Sequence, residues 1–387
     1  MRAVALIVPL FAFLLLNFAF PIGAVLMRSV NDVELGAAMP RTAAAIRQWD
    51  GRDLPQASVA AMLMEELVRA RDEGTVSSVA NRLNYDINGF RSLLLSTARR
   101  LPSGDSGSAL EQLIKIDGRW GDRNYWGAIR HAAGPYTSFY LLAAVDRREN
   151  VDGEITMTPA DQQIFVNIFL RTFWISLVVT TLCLVLGYPL AYLLANIDAR
   201  ISNLLMMLVL LPFWTSVLVR TTGWAVLLQR EGTVNNMLRA VGAISEPMQL
   251  IYNRTGVYVA MTHVLLPFMV LPLYGVMKGI APTSFRAALS LGARPWVAFR
   301  RVYLPETMPG VSAGCLLVFI LALGYYITPA LVGGANDQMV SYFIAFYTNE
   351  TLNWGMAAAL GVILLTVTLA LYVLYNRLSG SKGPKWV

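Results

Sequence analysis

The chain has 387 residues, of which 56% are hydrophobic and 14% are charged, and its mean hydropathy is +0.52. A soluble globular chain carries roughly 25% charged residues, so the composition excludes an ordinary soluble protein as well as a disordered or disulfide-rich one. Residues 28–163 hold 18 of the 24 acidic and 16 of the 31 basic residues, a net charge of −2, whereas the rest carries +9. That positive charge lies among long apolar runs, so it indicates the cytoplasmic bias of a membrane protein and argues against nucleic-acid binding.

Six apolar segments are long enough to cross a hydrocarbon core about 30 Å thick, which needs roughly 20 helical residues. The first occupies residues 3–27, and its length and lack of a small-residue cleavage site predict an anchor and not a removed signal peptide. The other five are predicted at 172–196, 201–229, 255–277, 307–335 and 351–376. The predicted fold is therefore all-α and polytopic, with six transmembrane helices.

Basic residues in short loops set the predicted orientation, because Lys and Arg concentrate on the cytoplasmic side. The stretch 278–301 carries five basic residues and no acid, whereas the loop 336–353 contains no Lys or Arg. We expect the first to be cytoplasmic and the second to be exported, with both termini in the cytoplasm. The predicted organisation is a first transmembrane helix in 1–27, an exported insertion in 28–163, a transmembrane core in 164–377 and a cytoplasmic tail in 378–387.

The insertion contains no uncharged run near 20 residues and is predicted to form a mostly helical domain between the first two spans. Helical periodicity of its apolar residues is clearest at 58–70 and 90–101. Aromatic residues are expected to seal its core: Trp120, Tyr125, Trp126, Tyr136, Phe139 and Tyr140. Its role stays open between a structural cap and a docking or gating element.

The cytoplasmic stretch 279–305 is predicted to form two short helices at the membrane surface. Gly292 can end the first helix in a left-handed turn, which a residue without a Cβ atom adopts at little cost. Pro295 suits the first turn of the second helix, and Pro305 is expected to end that helix. A pair of alanines keeps the first helix smooth enough for another protein to approach closely.

This stretch resembles the signature loop of binding-protein-dependent ABC importer permeases, which reads Glu-Ala-Ala, three residues, Gly, nine residues, Ile, any residue, Leu-Pro. The chain departs from the pattern at the first position, where Arg286 replaces the acid. It follows the pattern, with Val for Ile, at Ala287, Ala288, Gly292, Val302, Leu304 and Pro305. The resemblance implies that the loop is the coupling helix that docks in a groove of a cytoplasmic ATPase.

Five further phrases are similar to spermidine/putrescine-type permeases. They are LGYPLAY at 186–192, LPFWTS at 211–216, VRT at 219–221, LPFMVLPLY at 266–274 and TPALVGG at 328–334. The resemblance implies the six-helix fold of a type I ABC importer permease in a bacterial inner membrane, forming a pathway for a small polar solute. It also implies three kinds of partner: ATPase subunits, a second permease subunit and an exported solute-binding protein.

No Gly-x-x-x-x-Gly-Lys-Ser/Thr phosphate loop occurs in the sequence. ATP is therefore expected to be used by a separate ATPase subunit, and the chain is expected to be no enzyme and to need no cofactor of its own. The two cysteines, Cys183 and Cys315, and the two histidines have no metal-binding spacing, so no metal is expected. Membrane lipid is the remaining expected partner.

Polar residues inside the spans are candidates for the pathway, because charged groups are costly in a membrane. Arg220 follows 19 uncharged residues and lies in the outer half of the third span. The candidate pathway residues are Arg220, Thr221, Trp214 and Tyr325. The alternatives are snorkelling to the interface for Arg220 and Arg171, aromatic packing for Tyr325 and hydrogen-bonded packing for His263.

The sequence leaves alternatives open for the transported cargo and for the class of membrane protein. No Asp or Glu lies within any predicted span, whereas a polycation crossing a low-dielectric region needs counter-charge. A polyamine, an amino acid, an opine-like conjugate or another small polar or anionic solute therefore stays open as cargo. A membrane receptor that senses a ligand without transport is the alternative class, while the missing acids and the signature loop disfavour an ion-coupled carrier.

Overall fold

The computed structural model describes residues 2–101 and 107–379, so most of the predicted tail at 378–387 lies outside the described residues. The described residues are mostly helical and include one two-stranded sheet. The chain divides into two compact units. The first unit comprises Met1–Val166 with Tyr347–Val362, and the second comprises Asn167–Phe346 with Ile363–Val387.

The first unit opens with the first apolar segment, which is helical throughout. It consists of α1 (Arg2–Leu14), a π-helical turn at Leu15–Ala19 and α2 (Phe20–Met27). From Val8 to Met27 no side chain is buried, and Asn17 donates its amide to the Phe13 carbonyl oxygen at 3.0 Å, within the helix. A helix that is apolar all round and satisfies its own polar groups is typical of a membrane span.

Short helices and a hairpin follow in the first unit. They are α3 (Glu34–Ala38), α4 (Pro40–Ile46), α5 (Ala57–Asp72), α6 (Val76–Asp86), α7 (Phe90–Arg100), α8 (Ala109–Ile116), α9 (Arg123–His131), α10 (Phe139–Ala143), β1 (Arg147–Glu149) and β2 (Ile155–Met157). The strands pair antiparallel. The helices predicted at 58–70 and 90–101 are confirmed by α5 and α7, because their apolar residues repeat at helical spacing.

Two fully buried tryptophans lie in the core of the first unit. Trp120 donates its indole N–H to Thr97 Oγ1 at 3.0 Å, and Trp126 donates to the Trp120 carbonyl oxygen at 2.9 Å. Both polar groups are thus satisfied, as buried indoles require. Tyr136 is predicted to lie in this core, but its side chain is 67% exposed. Its backbone forms an isolated antiparallel bridge with Asn31, outside the helices that make the core.

The rest of the described chain is helical. Its helices are α11 (Phe165–Asn196), α12 (Ala199–Leu210), α13 (Val217–Leu227), α14 (Thr233–Ala240), α15 (Arg254–Gly279), α16 (Pro282–Ser290), α17 (Pro295–Ala298), α18 (Leu304–Leu323), α19 (Ile327–Val332), α20 (Val340–Asn349) and α21 (Trp354–Ser379). Within the described ranges, five helices are long and apolar enough to cross a membrane, and a bent pair gives a sixth candidate.

Helices α15 and α18 lie unusually close together in the second unit. A Cβ atom at Gly314 would come within 2.8 Å of Met269 Sδ, and one at Gly310 within 3.1 Å of the Pro272 carbonyl oxygen. Small residues allow this approach between membrane helices. Buried side chains of α11, among them Ile175, complete the same core.

The predicted span 201–229 is not one straight helix. After α12 the chain makes a 3₁₀ turn at Leu211–Trp214, and α13 then leaves at an angle of 99°. Pro212 lies in that turn, where its missing N–H and fixed ring prevent α12 from continuing. The break lies within the apolar run and produces two half-length helices.

The predicted span 307–335 begins and ends earlier in the structure. One helix runs from Pro295 through a π-helical turn at Phe299–Tyr303 and continues as α18 to Leu323. Pro305 therefore does not end a helix; it occupies the first turn of α18, after the hydrogen-bond pattern has already changed from π to α. Glu306, which directly precedes the predicted span, consequently lies in the first turn of a longer apolar helix.

Candidate functional site

The predicted coupling loop forms an exposed helix, a left-handed turn and a second helix. Helix α16 begins at Pro282; Arg286 and Ala287 are exposed on it, and Ala288 is half-buried. Gly292 follows with φ at +86°, and a Cβ atom there would have nothing within 4 Å. The glycine is therefore needed for the backbone turn and not for packing.

Large apolar side chains project from this turn. Leu291 is 89% exposed and Trp296 is 68% exposed. The exposed arginines around them are Arg286, Arg294, Arg300 and Arg301. An apolar centre with a charged rim is the usual form of a protein-binding surface, and contiguous exposed apolar groups mark such sites.

An aromatic stack joins the coupling loop to α11. Phe299 stacks on Trp296 and on Tyr303, with 5.7 Å between ring centroids in each pair. Tyr192 of α11 meets Phe299 and Tyr303 edge-on, at 5.9 and 5.3 Å. Since these rings pack directly on one another, a displacement of the loop would move α11 as well.

The last two signature residues lie away from the exposed turn. Leu304 is half-buried and Pro305 is exposed, and both belong to the first turn of α18. Helix α17 and the π-helical turn separate them from Gly292. The signature thus covers two structures: a turn that faces outward and the start of a membrane helix.

Three of the four predicted pathway residues meet beside the bend. Arg220 and Thr221 lie on α13, and Thr221 Oγ1 is 3.0 Å from Thr328 Oγ1 on α19. Tyr325 lies three residues before the same threonine and near Arg220. Trp214 is 88% exposed at the end of the 3₁₀ turn and, among the described contacts, takes no part in this hydrogen-bonded group.

Arg220 uses little of its hydrogen-bonding capacity. Its Nη2 donates to the Thr215 carbonyl oxygen at 3.3 Å, while its Nε is buried and has no partner among the described residues. The ion pair that the structure describes in the second unit joins Arg254 to Asp337 at 2.9 Å and leaves Arg220 unpaired. A half-buried guanidinium in this state is suited to bind an anion.

His263 and Trp224 extend the group of residues beside the bend. Trp224 donates its indole N–H to His263 Nδ1 at 3.1 Å. Arg220 and Trp224 are four residues apart on α13 and share one helix face, so His263 lies near Arg220. The expected hydrogen bond of His263 is thus present, but its partner was not foreseen. Trp224 and Thr328 were missed; the sequence signal for the second is a hydroxyl next to Pro329 within an apolar run.

Arg171 contacts the loop that follows α19, a partner that the sequence alone does not indicate. Its Nη1 donates to the carbonyl oxygen of Asn336, so the loop 333–338 lies against the first turns of α11. Arg254 holds the same loop through its ion pair with Asp337. Two arginines thus fix the loop that follows α19.

A buried ion cluster lies in the first unit. Arg82 Nε donates to Asp32 Oδ2 at 2.8 Å, its Nη1 donates to Asp86 Oδ2 at 2.5 Å, and its guanidinium lies 4.6 Å from the Phe139 ring centroid. Burial raises the pKa of Asp32 to about 7 and also raises the pKa of Asp86. One guanidinium is shared by two buried carboxylates. Its attraction lowers their pKa values by less than the loss of hydration raises them.

The first unit also holds the ends of apolar helices. Asp146 accepts the backbone N–H groups of Phe165 at 3.0 Å and Val166 at 2.8 Å, which caps the start of α11. The Arg28 guanidinium lies 5.7 Å from the centre of the Trp354 ring at the start of α21. Both contacts therefore involve the first residues of α11 and α21, which belong to the same unit as the insertion.

Comparison with known proteins places these features in a family. Residues 187–381 match the binding-protein-dependent transport system inner membrane component. The spermidine/putrescine transport system permease protein PotB of Salmonella typhimurium is 34% identical over 216 residues, 56% of this chain and 75% of that protein. PotB of Haemophilus influenzae is 36% identical, over 57% of this chain and 79% of that protein.

An inner membrane ABC transporter permease, YdcU of Escherichia coli, is 30% identical over 56% of this chain and 72% of its own length. The family match includes the coupling loop, the bend and the residues around Arg220. Long apolar helices also fit a multi-pass inner membrane protein. The chain therefore belongs to the family of binding-protein-dependent transport system inner membrane components and is a permease subunit of an ABC importer.

Proposed function

We propose that the chain forms part of the translocation pathway for a small polar solute, together with a second permease subunit. Two separate ATPase subunits use the ATP, and an exported solute-binding protein delivers the cargo. In this arrangement the bent α12–α13 pair is the third of six spans, 28–163 is exported, and both termini are cytoplasmic. The observation that carries the proposal is the exposed apolar turn around Leu291, which is packed through aromatic rings onto α11.

We assign the ATPase contact to Arg286, Ala287, Ala288 and Gly292, with Leu291 at its centre. Closure of the ATPases around ATP displaces this turn, and the stack of Phe299, Tyr303 and Tyr192 carries the displacement into α11. Leu304 and Pro305 transmit it into α18 because they begin that helix. The chain itself contributes no catalytic group and no cofactor to this step.

The pathway runs past the bend, where Arg220, Thr221 and Tyr325 provide polar groups and Trp214 lines the approach. The relatives named for spermidine and putrescine support a small polar cargo, of which polyamines, amino acids and opine-like conjugates are the candidate classes. The insertion acts as a structural cap, since Asp146 and Arg28 contact the starts of two long apolar helices.

A copurification experiment tests the ATPase contact. Leu291→Ser removes the most exposed apolar side chain of the turn and is expected to reduce ATPase recovery with the detergent-solubilised chain at least tenfold. The matched control is Val241→Ser, at a residue that is 77% exposed in the loop after α14. Full ATPase recovery with Leu291→Ser, or no ATPase with the unmodified chain, would show that the proposal is wrong.

A further inference from the structure

The group beside the bend carries positive charge and hydrogen-bond donors but no described acid. Arg220 has a buried Nε without a partner and a single contact from Nη2 to a carbonyl oxygen. Its titratable neighbours are His263 and Tyr325, and neither is negative at neutral pH. The guanidinium therefore has no counter-ion from the described part of this chain.

Hydrogen bonding assigns the proton on His263. Its Nδ1 accepts the Trp224 indole N–H at 3.1 Å, so the neutral imidazole carries its proton on Nε2. A second N–H donor thus lies near Arg220. Thr221 and Thr328 share a hydrogen bond at 3.0 Å and fix α13 to α19 behind these donors.

Five acids belong to the second unit, and no described ion pair joins any of them to Arg220: Asp198, Glu231, Glu246, Glu306 and Asp337. Asp198 caps the start of α12, and Glu231 and Glu246 lie in the segments that follow α13 and α14. Asp337 is engaged by Arg254 at 2.9 Å. Glu306 is in the first turn of α18, and Gly324 follows 18 residues later, which corresponds to roughly 27 Å along a helix. Glu306 therefore cannot offer counter-charge to a cation at the bend.

We infer that Arg220 and His263 bind a carboxylate group of the cargo, so that the transported solute is an amino acid or another small carboxylate and not a pure polyamine. This inference rests on the proposed transport function. A guanidinium binds a carboxylate through two parallel N–H···O bonds, and desolvation in an apolar span strengthens that pairing. A solute that carries only ammonium groups meets repulsion from Arg220 at the same position.

Three four-carbon probes separate the possibilities because they differ only in their end groups: putrescine, 4-aminobutyrate and succinate. The complete importer, with both permeases, ATPases and binding protein, is reconstituted in liposomes, and ATP-dependent uptake of each labelled probe is measured. We expect uptake of at least one carboxylate probe. Arg220→Gln should lower that uptake at least tenfold, Arg220→Lys should retain it within about threefold, and the loop control Arg230→Gln should leave it unchanged.

Uptake of putrescine alone overturns the inference, and so does carboxylate uptake that Arg220→Gln leaves unchanged. Uptake of none of the probes, by an importer that hydrolyses ATP when its binding protein is added, overturns it as well. Elution of the Arg220→Gln complex at the position of the unmodified importer separates loss of binding from loss of folding. Failure of the proposed function has a different result: no ATPase copurifies and no uptake depends on ATP.

Discussion

At the scale of single residues, Gly292 shows how one backbone angle presents a docking surface. Its φ of +86° directs Leu291 and Trp296 outward, while a Cβ atom at this position would contact nothing. Adding a side chain therefore tests the turn alone. A left-handed conformation costs an ordinary L-residue about 1–2 kcal/mol.

We predict that Gly292→Ala weakens ATPase binding by roughly five- to thirty-fold, because about 1–2 kcal/mol of strain depopulates the docking conformation. Gly292→Asn should lose less, since asparagine tolerates positive φ. Gly275→Ala is the control: this glycine lies within α15 and also has nothing within 4 Å, but its φ is not positive. Titration of the detergent-solubilised variants with purified ATPase measures the effect, and equal affinities for Ala and Gly at position 292 would contradict it.

At the scale of elements, the cluster of Arg82, Asp32 and Asp86 joins α6 to the segment that follows α2. The pKa of Asp32 is raised from the ordinary 3.8 to about 7, so the folded unit holds a proton that the unfolded chain releases. The contribution of this proton on Asp32 to the free energy of unfolding is therefore complete below about pH 4 and is lost as pH rises to about 7. Burial moves the pKa of Asp86 in the same direction.

We predict that hydrogen–deuterium exchange protection of α6 in the full chain, corrected for intrinsic exchange, falls between about pH 5 and pH 7.5. Asp32→Asn should reduce this dependence, because the amide does not titrate. Asp72→Asn should preserve it, because Asp72 is an exposed acid at the end of α5. Protection that rises with pH in the unmodified chain would refute the sign of the pKa shift.

The helices and turns also show how much of the fold and of the candidate site could be predicted from the sequence. Composition located the apolar helices, the resemblance to the permease signature identified the coupling loop, and glycine chemistry identified the turn at Gly292. The prolines alone do not predict the 99° angle beside Pro212 or the continuous helix through Pro305, because a proline breaks, bends or starts a helix according to the hydrogen bonds around it. Contacts such as Trp224 with His263 join residues 39 positions apart, and local patterns do not encode them.

At the scale of the whole molecule, charge distribution and proposed function require the coupling turn and the insertion to face opposite sides of the membrane. Each offers a well-exposed position for a reactive cysteine: Leu291 is 89% exposed in the turn, and Tyr136 is 67% exposed in the insertion. The natural cysteines Cys183 and Cys315 lie in apolar helices and can be replaced by alanine to give a background without thiols.

In that background, Tyr136→Cys should react in intact spheroplasts with a thiol reagent that does not cross membranes, whereas Leu291→Cys should react only after permeabilisation. The reason is topological: in the proposed six-span arrangement an odd number of spans separates the two positions, and a basic loop is expected to stay in the cytoplasm. ATPase overexpressed with the chain should also protect Leu291→Cys after permeabilisation, while Tyr136→Cys serves as the unprotected control. Equal labelling of both positions in intact spheroplasts would exclude an exported insertion opposite a cytoplasmic coupling turn.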